Sequence, residues 1–286
     1  MTAQSFPLNA ASRAEEPADG AGRPLEGLLA TLDLLHITRR GPVLHLRLNR
    51  PAKRNALSDP FIQQLHTVFV NMPDGIRAVV ISGEGQHFCA GLDLSEVVAR
   101  DIDSAVQHSR MWHAAFDAIQ FGPVPVVAVL HGAVVGGGLE LASACHIRVA
   151  EDSAYFGLPE GQRGIFVGGG GSARIPRLMG VARMTDLMLT GRVYDAQEGL
   201  QAGLVQYVVP AGQGLDKGLE LAQRIATNAQ MSNYAVMHAL PRIADQAQGL
   251  GLFTESLMAA IAESTPQAQE RLRAFLEGRA AKVVKS

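Results

Sequence analysis

The sequence predicts an α/β fold, with an interleaved core followed by a helical C-terminal part. Two short runs rich in Val, at 77–82 and 124–130, are each followed soon by glycine, as is typical of buried strands. Helical patterns lie between the strands, and beyond residue 172 the pattern becomes helical. With 286 residues and 47% hydrophobic content, the chain can bury a full core, so we expect one large domain with appendages.

The elements of the N-terminal half follow from their apolar periods. A half-buried strand is predicted where Leu44, Leu46 and Leu48 alternate with His45 and Arg47. A helix capped by Ser58 follows, because the apolar residues after it fall on one face: Phe61, Ile62, Leu65, Val68 and Phe69. Residues 93–120 are predicted to be mostly helical. Another helix begins near Gly137, and short strands follow it at 146–150 and 154–158.

The C-terminal part carries helix-capping signals. Asp195 and Glu198 form a capping box, Ser232 is a candidate cap, and Thr265 followed by Pro266 opens a last helix. We expect a disordered arm over residues 1–27, a core over 28–215 and a helical part over 216–286. The arm is predicted to be neither a secretory signal nor a transit peptide, because it is acidic and has no apolar core segment.

Composition excludes several functional classes. A net charge of −2 argues against a general nucleic-acid or membrane-surface binder. Cys89 and Cys145 form no disulfide framework and fit a reducing compartment, so we expect a cytoplasmic protein. The most apolar stretch, 124–144, contains His131, Glu140 and a glycine triplet, which argue against a transmembrane span.

Three loops that follow strands carry unusual residues: a first loop at 50–58, a second at 85–94 and a third at 131–141. Their glycines suggest a phosphate-binding loop, but the chain contains no G-x-x-x-x-G-K-[ST], and neither GGGLEL nor GGGGSARIP fits G-x-G-x-x-G. The chain also lacks a G-x-S-x-G elbow, an H-E-x-x-H motif and clustered metal-ligand spacing. Ordinary serine-hydrolase and zinc-enzyme functions are therefore disfavoured.

The triplet Gly136-Gly137-Gly138 in the third loop leaves two interpretations open. A helix that opens on glycine presents unpaired N–H groups without screening side chains, which suits a developing oxyanion. Alternatively, the triplet serves only the close packing of a strand and a helix.

Five segments of the chain, in order, resemble those of the enoyl-CoA hydratase/isomerase family, the crotonases. They are RPAKRNALS, FCAGLDL, HGAVVGGGLELA, FGLPE and GRVYDAQEGLQAGLV, and the resemblance runs from about Asp33 to the C-terminus. It implies a spiral of repeated ββα units, a helical trimerisation part and a homohexamer made of two trimers, or a homotrimer. The implied substrates are acyl-CoA thioesters, with no metal, flavin or nicotinamide cofactor.

The resemblance also assigns a reaction centre. It implies that the N–H groups of Leu92 and Gly137 form the oxyanion hole, and that Glu140 and Glu160 are the catalytic acids. Hydration of an enoyl thioester needs a base to activate water and an acid to protonate Cα, and two carboxyl groups can supply both. Family isomerases typically use one acid, at the position of Glu160, so retention of both favours a hydratase. Without the family context, both glutamates fit ordinary surface or helix-end positions.

The resemblance implies further contacts with coenzyme A and the acyl chain. The candidates for coenzyme A are Ala52, Lys53, Arg54, Ala56, Ala90 and Asp93, and those for the acyl pocket are Trp112, Phe116 and Arg163. Each group has a simpler alternative. Lys53 and Arg54 also fit a solvated turn, the two aromatic residues fit a plain core, and Arg163 fits a solvated or ion-paired position.

The chain departs from the family pattern at several positions, which puts the acyl pocket in question. They are His131 in place of Asn, Val134 in place of a small residue, Gly161 and Arg163 in place of apolar residues, and Val167 in place of Pro. A rival hypothesis is a non-catalytic RNA-binding relative. The presence of both acids and the absence of a basic excess argue against it.

Overall fold

A computed structural model describes residues 22–24, 26–96 and 100–279. Its main sheet has seven strands in the order β1-β2-β3-β4-β5-β7-β10. Their bounds are β1 (Arg23–Pro24), β2 (Leu35–Arg40), β3 (Val43–Leu48), β4 (Ala78–Gly83), β5 (Val126–Leu130), β7 (Ile147–Glu151) and β10 (Tyr207–Val209). The first three strands pair antiparallel and all later pairs are parallel.

A smaller second layer positions the three loops. It contains β6 (Ala133–Val135), β8 (Tyr155–Gly157) and β9 (Val193–Asp195), in the order β6-β8-β9. Two isolated parallel bridges extend this layer, one between Cys89 and Val134 and one between Leu57 and Leu92. Successive β-β-α units thus place one strand in the main sheet and the next strand or loop in the second layer. The first, second and third loops therefore lie side by side.

The helices follow the strands along the chain. They are α1 (Asp59–Val70), α2 (Ile102–Gln120), α3 (Gly137–Ala144), α4 (Gly171–Met179), α5 (Val181–Thr190), α6 (Ala196–Ala202), α7 (Gly214–Ala226), α8 (Gln230–Tyr234), α9 (Leu240–Ala244), α10 (Gln248–Glu263) and α11 (Pro266–Leu276). A π-helical turn, Ala235–Ala239, joins α8 to α9. The predicted caps at Ser58 and Thr265 and the Asp195–Glu198 capping box are confirmed.

The predicted strand at 43–48 is confirmed, but the face expected to be exposed is buried at Val43 and His45 and half-buried only at Arg47. His45 is only 3% exposed, and its Nε2 lies 2.9 Å from the Ser82 hydroxyl. One face packs on the main core, and on the other face Val43 belongs to the apolar cluster that contains Leu219 and Leu221 of α7. Helix α7 comes from a distant part of the chain, so the local alternation of residues could not reveal this second cover.

Three details of the C-terminal half differ from expectation. Ser232 lies inside α8, whose N-cap is Ala229, and the side chain of Gln267 on α11 accepts the Gln230 N–H. Strands β9 and β10 were missed because three residues are too few to show a period. The predicted boundary between residues 215 and 216 falls inside α7, which packs on the main sheet, so the helices beyond the sheet begin with α8.

Most of the predicted N-terminal arm lies outside the described residues. At its described end, Arg23 and Pro24 pair with Arg39 and Thr38 of β2. Among the described residues, no helix is both long and apolar enough to cross a membrane. The apolar stretch 124–144 instead forms β5, β6 and α3.

Candidate active site

The first loop is fixed by a buried asparagine that sequence reasoning did not single out. Asn55 adopts a left-handed conformation with φ of 56° and is fully buried. Its Oδ1 accepts the Arg50 N–H at 2.8 Å, and its Nδ2 donates to the carbonyls of Glu84 and His87 at 2.9 and 2.8 Å. This side chain therefore sets the turn of the first loop and ties it to the second.

The candidate coenzyme A residues occupy the junction of these two loops. Ala52, Lys53 and Arg54 are exposed, whereas Ala56 is buried. The junction is closed by backbone pairing, because the Ala90 N–H donates to the Arg54 carbonyl at 3.0 Å. The exposed residues of the first loop, here called its rim, are thus accessible to a ligand. The buried residues behind the rim fix the shape of the loop.

Asp93 is buried and already engaged by protein groups. Its carboxylate accepts hydrogen bonds from Arg50 at 2.8 Å and from the Ser95 hydroxyl at 2.6 Å, while Lys53 Nζ lies 3.9 Å away. The bond from Ser95 is the largest cause that lowers the pKa of Asp93 below its usual range. Asp93 therefore holds the two loops together, and protein donors already engage its carboxylate.

The N–H groups of Leu92 and Gly137 border one space. A Cβ built on Gly137 would lie 3.4 Å from the Leu92 nitrogen, and one built on Gly91 would lie 3.2 Å from the Gly137 nitrogen. In the described part of the chain, neither N–H donates a hydrogen bond, and Gly137 is the first residue of α3. Two unpaired donors beside one space are what an oxyanion requires.

The other two glycines of the triplet are required for different structural reasons. Gly136 has φ of 54°, where a side chain is strained, and its N–H extends the β6–β8 pairing by donating to Gly157 at 2.9 Å. A Cβ on Gly138 would lie 2.4 Å from the Cys89 carbonyl oxygen, so close packing requires glycine there. The packing interpretation therefore holds for Gly138, and the oxyanion interpretation stays a prediction for Gly137.

Glu140 lies in a cradle of backbone donors. It projects from the first turn of α3 and is only 4% exposed. Its Oε1 accepts the N–H groups of Gly169 and Gly171 at 2.9 and 2.8 Å. A Cβ on Gly171 would lie 2.7 Å from Glu140 Cγ, so these glycines let the backbone approach the carboxylate. The run Gly168–Gly171, here called the glycine loop, is therefore a carboxylate cradle.

Glu160 reaches the same region from the end of β8. Because β6 and β8 pair, the chain after Gly157 lies beside the start of α3. A Cβ on Gly136 would lie 2.8 Å from Glu160 Oε1. Glu160 is 7% exposed, and its Oε2 is buried without a hydrogen-bond partner in the described structure.

The pKa values of both carboxyl groups lie above their usual range, and burial is the main cause for each. For Glu140, the bonds from Gly171 and Gly169 and the charge of Arg174 oppose this rise. For Glu160, the neighbouring charge of Glu140 raises the pKa further, and Arg163 opposes it. Perturbed carboxyl groups with different surroundings are typical of acid–base sites.

The candidate acyl-pocket residues divide into two groups. The rings of Trp112 and Phe116 are buried, lie 5.8 Å apart between centroids and contact the glycine loop, since a Cβ on Gly169 would lie 3.1 Å from Trp112 Cε3 and 3.0 Å from Phe116 Cε2. The ring of Trp112 also borders Gly137. Both aromatic residues therefore border the candidate site. Arg163 is exposed in the turn after Glu160, where its N–H donates to the Glu160 carbonyl at 3.0 Å and its charge lowers the pKa of the Glu160 carboxyl group.

Several departures from the family pattern have local structural reasons. Gly161 packs under α5, where a Cβ would lie 2.4 Å from the Met188 carbonyl oxygen. Val134 is fully buried, and Val167 is 7% exposed. His131 Nε2 lies 3.0 Å from the Gly85 carbonyl oxygen, which ties the third loop to the second. Across the described ranges, no cluster of three His, Cys, Asp or Glu side chains could hold a metal ion.

Comparison with known proteins identifies the family. The model of the family described as enoyl-CoA hydratase/isomerase matches residues 38–284. The chain belongs to this family. It is 34% identical over 249 residues to the 2,3-dehydroadipyl-CoA hydratase of Escherichia coli K12, covering 86% of this chain and 96% of that protein. It is 32% identical over 250 residues to the enoyl-CoA hydratase EchA19 of Mycobacterium tuberculosis, covering 85% and 94%.

Solved structures confirm the predicted crotonase fold. A candidate enoyl-CoA hydratase from Rhodopseudomonas palustris CGA009 superposes with a TM-score of 0.85 at 56% identity, covering 90% of this chain and all of that one. The enoyl-CoA hydratase of Bacillus anthracis gives a TM-score of 0.80 at 32% identity, covering 86% and 97%. Family membership makes this chain a crotonase enzyme of the hydratase or isomerase type.

Proposed function

We propose that this crotonase hydrates the double bond of a 2-enoyl-CoA thioester to give a 3-hydroxyacyl-CoA, or catalyses the reverse dehydration. The observation that carries the proposal is the pair of buried carboxyl groups, Glu140 and Glu160, beside the N–H groups of Leu92 and Gly137, which have no acceptor in the described part of the chain. A double-bond shift moves one proton and can be managed by one acid, whereas hydration also requires an activated water.

The surroundings of the two carboxyl groups suggest separate roles. Glu140 accepts two backbone N–H bonds, which stabilise its ionised form. Glu160 has one oxygen with no hydrogen-bond partner among the described residues, and the charge of Glu140 raises its pKa, so it holds a proton more readily. In the hydration direction, ionised Glu140 takes a proton from water as the oxygen attacks Cβ. Protonated Glu160 then supplies a proton to Cα.

The oxyanion site completes the reaction path. As water adds to Cβ, the electrons of the double bond move toward the thioester carbonyl, whose oxygen gains negative charge. The N–H groups of Leu92 and Gly137 stabilise this oxygen, and one such donor typically contributes about 3 kcal/mol. In this proposal coenzyme A binds the exposed residues of the first loop, Ala52, Lys53 and Arg54, and the support is that they lie next to the second loop.

An absorbance screen tests the proposal. Purified protein is offered short, long, aromatic and carboxylated 2-enoyl-CoAs, and loss of the enoyl band reports hydration. On the best substrate, Glu140→Gln and Glu160→Gln should each lower kcat by about 10² or more. Glu84→Gln, which removes only an exposed ion pair with Arg47, is the matched control and should leave kcat unchanged.

Two other outcomes would overturn the hydratase proposal. Conversion of 3-enoyl-CoA to 2-enoyl-CoA that survives Glu140→Gln, with no hydration of any substrate, would indicate an isomerase. Filter binding of RNA by a protein that turns over no acyl-CoA would indicate the non-catalytic relative.

We also propose that the chain assembles as a homotrimer or as a dimer of trimers in the cytoplasm. The assembly is supported by exposed apolar surface on the C-terminal helices. The large exposed side chains there are Leu250, Leu252, Phe253, Leu257, Ile261, Leu272, Phe275 and Leu276. Contiguous exposed apolar surface marks interaction sites. Sedimentation velocity on the purified chain tests this, and a stable monomer at micromolar concentration would contradict it.

A further inference from the structure

The glycine loop that cradles Glu140 is itself held by one buried arginine. Arg174 lies in α4, one turn after the loop, and is 9% exposed. Its Nη1 donates to the Gly169 carbonyl at 3.0 Å. The same residue, Gly169, donates its N–H to Glu140 Oε1 at 2.9 Å. The guanidinium and the catalytic carboxylate therefore bind opposite sides of one glycine.

The other two guanidinium nitrogens of Arg174 donate to side chains on a different helix. Nε donates to Gln120 Oε1 at 2.7 Å, and Nη2 donates to Asp117 Oδ1 at 2.5 Å. Both partners lie in α2, which also carries Trp112 and Phe116. A planar guanidinium with three fixed bonds is a rigid connector, which a flexible ammonium group is not.

The loop conformation depends on this arrangement. Gly170 has φ of 96°, and a Cβ there would lie 2.2 Å from Arg174 Nη1. The glycine loop is thus shaped between the arginine on one side and the Glu140 carboxylate on the other. We infer that Arg174 is a positioning residue for Glu140. The Arg174 guanidinium fixes the glycine loop so that two of its N–H groups hold the catalytic carboxylate. This inference rests on the proposed hydratase function for its kinetic readout.

The charge of Arg174 and the bonds it makes to the glycine loop both favour the ionised form of Glu140. The charged and titratable groups around Glu140 and its cradle are Arg174 on α4, Asp117 and His113 on α2, Glu160 after β8 and Cys145 at the end of α3. Among them, Arg174 is the group whose charge lowers the pKa of Glu140. Losing the guanidinium removes a favourable charge and loosens the two N–H donors. Both effects disfavour the ionised form.

Loss of the Arg174 guanidinium should therefore shift the pH dependence of kcat. Hydration requires ionised Glu140, so the acidic limb of the kcat profile reports its pKa. In Arg174→Gln we expect this limb to move to higher pH by about one unit, the lower end of what a nearby opposite charge produces. We expect kcat near neutral pH to fall about tenfold or more, because a displaced catalytic group reacts poorly. KM should change little, since Arg174 does not touch the proposed substrate path.

Matched variants separate positioning from general stability. Arg177, one turn further along α4, forms an exposed ion pair with Asp245 at 3.2 Å. Arg177→Gln should therefore leave the acidic limb and kcat unchanged. Arg174→Lys restores the charge without the three-way connection, so the limb should return most of the way while kcat stays low. Folding should survive in Arg174→Gln, because the Asp117 side chain left behind is 57% exposed.

Hydrogen exchange supplies a readout that does not need activity. Backbone amides of the glycine loop should exchange faster in Arg174→Gln than in the wild type, and at the wild-type rate in Arg177→Gln. If the wild type hydrates no enoyl-CoA, the proposed function fails while exchange still tests the arginine. The inference is overturned if loop exchange in Arg174→Gln equals that in Arg177→Gln. It is also overturned if exchange rises in an active enzyme whose acidic limb stays at its wild-type pH.

Discussion

Gly137→Ala is the sharpest test of the proposed oxyanion hole. The added Cβ would lie 3.4 Å from the Leu92 nitrogen and 3.0 Å from Trp112 Cζ3. A thioester oxygen must approach both N–H groups to within about 2.7–3.1 Å, so the methyl group would occupy part of the space that the oxygen needs. Loss of one donor contact costs about 3–4 kcal/mol in the transition state, which corresponds to a fall in kcat of about 10²–10³.

Stability should change much less than activity in this variant. The Trp112 ring must shift by a few tenths of an ångström, and the reduced freedom of the unfolded chain offsets part of that cost by about 0.4–1 kcal/mol. Gly249→Ala, on the exposed surface of α10, is the matched control, because its Cβ meets no atom within 4 Å. Steady-state kinetics and thermal unfolding of both variants give the comparison. A folded Gly137→Ala enzyme with wild-type kcat would refute the assignment of the hole.

Three further outcomes are expected. Burial and the Glu140 charge raise the folded-state pKa of Glu160, so its ionisation destabilises the fold as pH rises. Glu160→Gln should therefore unfold at a higher temperature than the wild type near about pH 8, with the difference shrinking toward about pH 4.5; an equal gain at both would contradict this. Asn55→Ala removes three buried hydrogen bonds and should lower the free energy of unfolding by about 2–4 kcal/mol and weaken coenzyme A binding, measured by denaturation and calorimetry, whereas unchanged binding would exclude the loop as the coenzyme site. A chain that starts at Gly22 should keep the wild-type melting temperature, while one that starts at Gly27 loses the β1 pairing and should melt slightly lower; equal melting would show that the pairing adds nothing.

Local signals in the sequence predicted much of the fold and indicated where the candidate site lies. Apolar periods predicted α1 and the central strands, and side-chain caps predicted the starts of α1, α6 and α11. The five segments in family order predicted the crotonase fold, which the comparisons confirm. They also pointed to Glu140 and Glu160, which the structure places in perturbed surroundings beside the same glycine-rich backbone.

The cradle around Glu140 could not be predicted in the same way. Gly169 and Gly171 lie 29 and 31 positions from Glu140, and nothing in the run GGGGSARIP indicates a carboxylate partner. The run matches no nucleotide-binding motif, yet its backbone N–H groups bind the Glu140 carboxylate. The missing information was the partner, which the packing of α3 against α4 supplies. Asn55 was missed for the same reason, since its three bonds depend on how the first two loops meet.

The small second layer, rather than the main sheet, sets the geometry of the candidate site. The β6–β8 pairing aligns Val135 with Gly157, and the Gly136 N–H continues it, so Glu160 arrives beside the start of α3. The bridge between Cys89 and Val134 places the second loop on the other side of β6. Because side chains alternate along a strand, a slip of β8 by one residue would reverse its faces and turn Phe156, now fully buried, outward. The same buried residue that fixes the register therefore also fixes the position of the proposed acid relative to the proposed oxyanion donors.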